Sequence, residues 1–182
     1  MTDTPSPSTV LRPLRRVRQT RQFLADAPIS PDALDAIADV ARWSGSSQNT
    51  QPWRFITMRE PETLRAIWQA GLPNTRALET AVAGIGIVMP VAEGKAVSYA
   101  FDEARAAERI LVAAALLGLA GGLMWLASGS RPAVGELLGV PEGWSLRTVI
   151  ALGHPRGSRP KSARGTARLP RSETVYAERW DG

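Results

Sequence analysis

A chain of 182 residues that is 44% hydrophobic can bury roughly two-thirds of its unfolded surface in one core, so a single compact domain is expected. It has no cysteine and one histidine, which excludes disulfides, thiolate catalysis and a metal centre built on Cys or clustered His. Its 22 Lys+Arg against 17 Asp+Glu leave +5, and the predominance of arginine suits a phosphate-bearing partner, whether nucleic acid, nucleotide or phosphorylated cofactor.

Residues 1–10 are polar and Pro/Ser-rich without a basic-then-apolar signal pattern. They read as a disordered lead-in to one domain over 11–182, in a cytoplasmic protein. Arg12, Arg15, Arg16, Arg18 and Arg21 form a basic run before Phe23-Leu24, followed by a turn at Asp26-Ala27-Pro28. Taken alone, such a run is a solvated, charged helix end. Ser30-Pro31-Asp32 then opens a helix with a hydroxyl cap, an early proline and a carboxylate at the positive end of the dipole. Leu34, Ile37, Ala38 and Ala41 recur at helical spacing and carry it to about Trp43.

The stretch Ser44 to Phe55 forbids regular structure while offering hydroxyls and amides, and contains no acid, base or thiol. It reads either as a plain helix-to-strand turn or as a loop for a flat heterocyclic ligand. Pro52 is expected to hold Gln51 extended. A strand follows over Arg54–Arg59, then a helix over Pro61–Ala70 stopped by Gly71, while Asn74–Thr80 stays unassigned. Ala81–Met89 is a continuous apolar run that fits a strand covered on both faces, and its Gly84-x-Gly86 lacks the third glycine of a dinucleotide fingerprint.

A long helix is expected from Phe101 to Leu117, acidic at its start through Asp102 and Glu103. Ile110–Ser130 carries no charge and could span a bilayer by count, but its many Gly and Ala keep hydropathy modest, so it reads as a buried helix and turn. Gly118–Gly122 interrupts the helix as a glycine-rich end. Arg131–Leu138 is a short helix, Pro141–Gly143 a turn, and Arg147–Leu152 a strand leading to Gly153-His154-Pro155, where the lone histidine reads as structural. An arm rich in Arg, Ser and Pro runs from about residue 156.

Gly45-Ser46-Ser47-Gln48-Asn49-Thr50-Gln51-Pro52-Trp53, preceded by Arg18-Gln19-Thr20-Arg21, resembles the flavin-binding signature of the nitroreductase family of FMN-dependent oxidoreductases. The resemblance runs from about Val17 to Tyr176, and Asn-x-Gln-Pro-Trp is its most specific part. It implies an α+β nitroreductase-like fold, a small mixed or antiparallel sheet flanked by helices, as a domain-swapped homodimer with two FMN sites at the interface. Arg18, Gln19, Arg21 and Arg168 would hold the FMN phosphate, and Ser46, Ser47, Asn49 and Gln51 would face the ring. Gly121 and Gly122 would lie near its reactive edge, and Glu173–Tyr176 resembles a strand that joins the partner's sheet. The chain departs from the family in Gln19 for a common Ser, Val17 for a basic residue, Ala120 for Gly and Thr166 for Lys.

The resemblance further implies ping-pong transfer of reducing equivalents from NADH or NADPH, through FMN, to a small acceptor such as a nitroaromatic, quinone or activated alkene. It needs no catalytic side chain, metal, membrane or nucleic acid. The rival readings are a flavin-binding module without turnover and a basic nucleic-acid-binding protein.

Overall fold

The structure is a computed structural model and describes residues 6–157 and 168–180. Strands Arg54–Met58 (β1), Ala83–Pro90 (β2), Ala120–Trp125 (β3) and Trp144–Gly153 (β4) form an antiparallel sheet in the order β1-β2-β4-β3. Helices Pro7–Val10 (α1), Pro31–Arg42 (α2), Pro61–Ala70 (α3), Ala96–Leu116 (α4) and Arg131–Leu137 (α5) surround it, with short 3-10 turns between.

The two central strands dictate this layering. β2 is buried at all but its last residue, so the alternation of side chains must be met by apolar cover above and below. Ile85, Ile87 and Met89 join Ile150 and Leu152 under Leu34 and Ile37 of α2 and Ala106, Ile110 and Ala114 of α4. Val88, Leu146, Val149 and Ala151 face the other way, onto Leu64 and Ile67 of α3 and Val134 of α5. Arg147 is the extra residue of a bulge, because Ile87 pairs with Thr148 and Val88 with Leu146. The bulge turns both Thr148 and Arg147 toward α4, where Nε of Arg147 donates to Oε2 of Glu103 at 2.8 Å.

Local signals place most elements where expected. Ser30 caps α2 by accepting the Ala33 N–H at 3.2 Å, Gly71 ends α3, and β2 ends at Pro90. Three expectations need correction. Residues 7–10, assigned to a disordered lead-in, form one helical turn whose Ser6 hydroxyl accepts the Thr9 N–H. α4 begins at Ala96 instead of Phe101; its first turns are exposed or only half-buried and carry no apolar periodicity. Gly118, at φ +74°, does end that helix, but Gly121 and Gly122 then belong to β3 and not to a turn. Val175 and Tyr176 lie outside any strand of the single chain: Arg171–Glu173 is a 3-10 turn and the Tyr176 ring stacks on Trp180 at 4.7 Å. Among the described residues no helix is long and apolar enough to cross a membrane.

Candidate functional site

Two clusters of the sequence motifs take shape, each built by a different edge of the sheet. At the β3 edge, the segment after the basic run lies alongside the strand like an extra half-strand. Gln19 bridges to Gly121 in parallel, and the Thr20 N–H donates to the Gly121 carbonyl at 2.8 Å. The Gln19 side chain imitates backbone: its amide donates to the Leu123 carbonyl, and its oxygen accepts the Leu123 N–H at 3.0 Å. Downstream, Phe23 is buried against Gly153, its N–H bound by Thr80 Oγ1 at 3.0 Å, and Leu24 N–H reaches the His154 carbonyl. This clasp leaves Arg18 and Arg21 exposed beside Gly121 and Gly122. The one histidine contributes its backbone carbonyl to the clasp.

At the other edge, the loop between α2 and β1 is tightly bonded to itself. Ser46 Oγ accepts the Gln51 N–H at 2.9 Å, the Ser46 carbonyl accepts the Asn49 N–H, and the Ser47 carbonyl accepts from Thr50. Three non-glycine residues sit in the left-handed region: Gln48 at φ 52°, Asn49 at 54° and Gln51 at 48°. Such strain persists only where surrounding structure enforces it. Gln51 is therefore not extended, despite the proline after it; its N–H is drawn back to Ser46 and its carbonyl accepts from Arg54 at 3.2 Å. With the N–H groups of Asn49, Thr50 and Gln51 committed within the loop, it offers a ligand its side chains, the exposed Ser47, Gln48, Asn49 and Gln51 and the half-buried Ser46. Buried Pro52 and Trp53 anchor its far end.

α4 contributes what the sequence reading missed. Asp102, Arg105 and Arg109 are spaced i, i+3, i+7 on one side of it. Asp102 accepts the Ser47 N–H, Arg105 lies against Gly45, and Arg109 donates to the Trp43 carbonyl at 2.8 Å. A signal was present: Asp102 and Glu103 precede Ala106, Ala107 and Ile110 in the buried register, where an acid is out of place unless it is held.

The two clusters occupy opposite corners of the sheet. Three strand spacings separate β1 from β3, about 14 Å, and Arg54 and Gly121 register about five residues apart on β2, another ~17 Å. Arg168 is exposed, and Thr166 lies outside the described residues. Among the described residues no group of acids and histidine is placed to hold a metal ion.

The model of the nitroreductase family matches residues 14–100, a span that holds both the clasp and the loop. A protein of Archaeoglobus fulgidus named "Putative NADH dehydrogenase/NAD(P)H nitroreductase" is 31% identical over 153 residues, covering 76% of this chain and 82% of that one. The chain belongs to the nitroreductase family. A protein of the same name from Methanothermobacter thermautotrophicus is 28% identical over 177 residues, covering 94% of this chain and 87% of its own length. The fold is a nitroreductase fold as well. An FMN-dependent nitroreductase from Clostridium difficile matches at TM-score 0.79 and 21% identity, over 92% of this chain and 98% of that one. An NADPH:FMN oxidoreductase from Vibrio harveyi, complexed with NAD+, matches at TM-score 0.76 and 22% identity, over 94% and 78% of the two chains. The expected α+β architecture is thus borne out, with a purely antiparallel sheet within one chain.

Proposed function

We propose that this nitroreductase-family chain is a cytoplasmic, FMN-dependent NAD(P)H oxidoreductase. It works as a homodimer and passes reducing equivalents by a ping-pong route to a small acceptor, a nitroaromatic, quinone or activated alkene. The separation of the two clusters carries this reading. Exposed arginines suited to a phosphate stand at one corner of the sheet and an amide-rich loop suited to a ring at the other, too far apart for one ligand in one chain. A second copy resolves the conflict by bringing its loop to the first copy's clasp. An open groove of about 830 Å³ between α2 and α4, lined by Val40, Phe101, Leu116 and Leu117, offers the surface for it. Those four side chains are exposed in the single chain, as is Val97.

The residues present fit FMN. Arg18, Arg21 and Arg168 would hold its phosphate through charge-assisted hydrogen bonds, and Gln19 would set their place by fastening the clasp. Ser46, Ser47, Asn49 and Gln51 of the other chain would orient the ring, and Gly121 and Gly122 would let backbone stand close to its edge. Bound FMN would supply the hydride and electron chemistry. The strained, self-bonded loop would supply orientation without rearrangement.

The test is the purified protein itself. One non-covalent FMN per chain, a dimer in sedimentation, and steady NADH or NADPH consumption with a quinone or nitroaromatic are expected. Colourless protein that takes up no FMN from excess, or a monomer that keeps its flavin, overturns the reading; flavin without turnover leaves only the binding module.

A further inference from the structure

Asp102 is 2% exposed, as deeply buried as Glu103, but the two adjacent acids are treated differently. Glu103 is paired with Arg147, whose guanidinium also lies 5.2 Å from the Trp125 ring. Asp102 takes part in neither of the ion pairs of the described residues. Both of its oxygens instead receive one backbone N–H, that of Ser47, at 3.0 and 3.2 Å. A leucine would cover the same helix face without the cost of burying a carboxylate, so packing does not account for an acid here.

What the carboxylate holds does account for it. Ser47 is the residue before Gln48 and Asn49, the consecutive pair in the left-handed region. Fixing the Ser47 N–H fixes the start of that pair and hence the direction of the exposed amide side chains. The hold is the last of three along α4, after Arg109 on the Trp43 carbonyl and Arg105 against Gly45, so the chain is guided from the end of α2 to the point where the strain begins. Any side chain at Gly45 would meet the Arg105 guanidinium at 2.1 Å, which shows how closely helix and loop are apposed there.

We propose that Asp102 is a positioning residue of the flavin site, acting through Ser47 to hold Gln48 and Asn49 in the geometry that faces the ring. The proposal rests on the FMN reading above, and its test has one arm that does not. Asp102→Leu removes the acceptor, and Asp102→Asn keeps a carbonyl that accepts the same N–H. In the FMN-free protein, amide exchange across residues 44–53 is expected to be about tenfold faster in Asp102→Leu than in wild type, with α3 and α5 unchanged. With FMN, the same variant is expected to bind about tenfold more weakly and to show an altered visible dichroism of the flavin, while Asp102→Asn stays within about threefold on every readout. Should leucine at 102 unfold the chain, Ser47→Pro removes the donor instead. Ser46, at φ −135° and ψ 161°, already has the extended form that precedes a proline, and faster exchange across residues 44–53 with α3 and α5 unchanged is expected; because Ser47 itself faces the ring, this variant is read on exchange alone.

Unchanged loop exchange in Asp102→Leu, or loss of FMN equal in the Leu and Asn variants, overturns the proposal. Faster loop exchange with wild-type FMN affinity and dichroism overturns it too. Wild-type protein that takes up no FMN overturns the assigned cofactor, and the exchange arm then still decides whether Asp102 holds the loop.

Discussion

The carbonyl oxygen of Thr20 stands where a side chain on residue 122 would have to begin: a Cβ built on Gly122 meets it at 2.1 Å. The clasp that carries Arg18 and Arg21 can therefore approach β3 only because residue 122 has no side chain. Gly122→Ala is expected to push the clasp outward, weaken FMN binding about tenfold or more and lower thermal stability by about 1–3 kcal/mol. Flavin titration together with urea unfolding checks this, and unaltered flavin affinity would show that the clasp does not set the phosphate site.

The Glu103–Arg147 pair joins α4 to the bulge of β4 on the buried side of the sheet. Arg147→Met leaves the 3% exposed Glu103 side chain as an uncompensated acid. Allowing for the partial exposure of Arg147, the expected loss is about 2–3 kcal/mol. Combining it with Glu103→Leu should recover most of that loss, because both charges then leave the interior. Chemical denaturation of the three variants checks this; additive losses would contradict it.

Phosphate-holding and ring-facing residues should fail in different ways. Arg168→Ala is expected to weaken FMN binding by about 1.5–3 kcal/mol while flavin-saturated turnover is nearly kept. Asn49→Ala is expected to change the flavin spectrum and slow its reduction by NADH or NADPH even at saturating FMN. Stopped-flow reduction of the two saturated variants separates these outcomes. Equal effects on the reduction rate would contradict the division of labour.

Much of this was legible locally. Ser30-Pro31-Asp32, Pro61 to Gly71 and the apolar run of β2 each carry their own capping or burial signal, and the structure follows them. The loop announced itself by residue types, though not by shape. A proline after Gln51 argues for extended backbone, and it took the Ser46 hydroxyl, five residues back, to turn it left-handed. β3 was the clearest miss. Ala120-Gly121-Gly122 has the composition of a helix stop, and its strand form depends on β4 on one side and on Gln19 and Thr20, a hundred residues earlier, on the other. In the sequence Asp102 is only part of an acidic helix start; its burial against Ser47 reveals a specific task.

In the proposed homodimer, the placement of the two clusters at opposite corners of the sheet makes defects in them complementary in the genetic sense. A homodimer of Asn49→Ala chains has two flawed loops and two sound clasps, and a homodimer of Gly122→Ala chains has the reverse. If the two variants are dissociated, mixed in equal amounts and reassembled, about half of the dimers pair one of each, and such a dimer gathers both sound halves at one site and both flaws at the other. About one quarter of all sites would then be fully intact, so a mixture of two impaired proteins would outperform either alone. A site contained within one chain could never show that rescue.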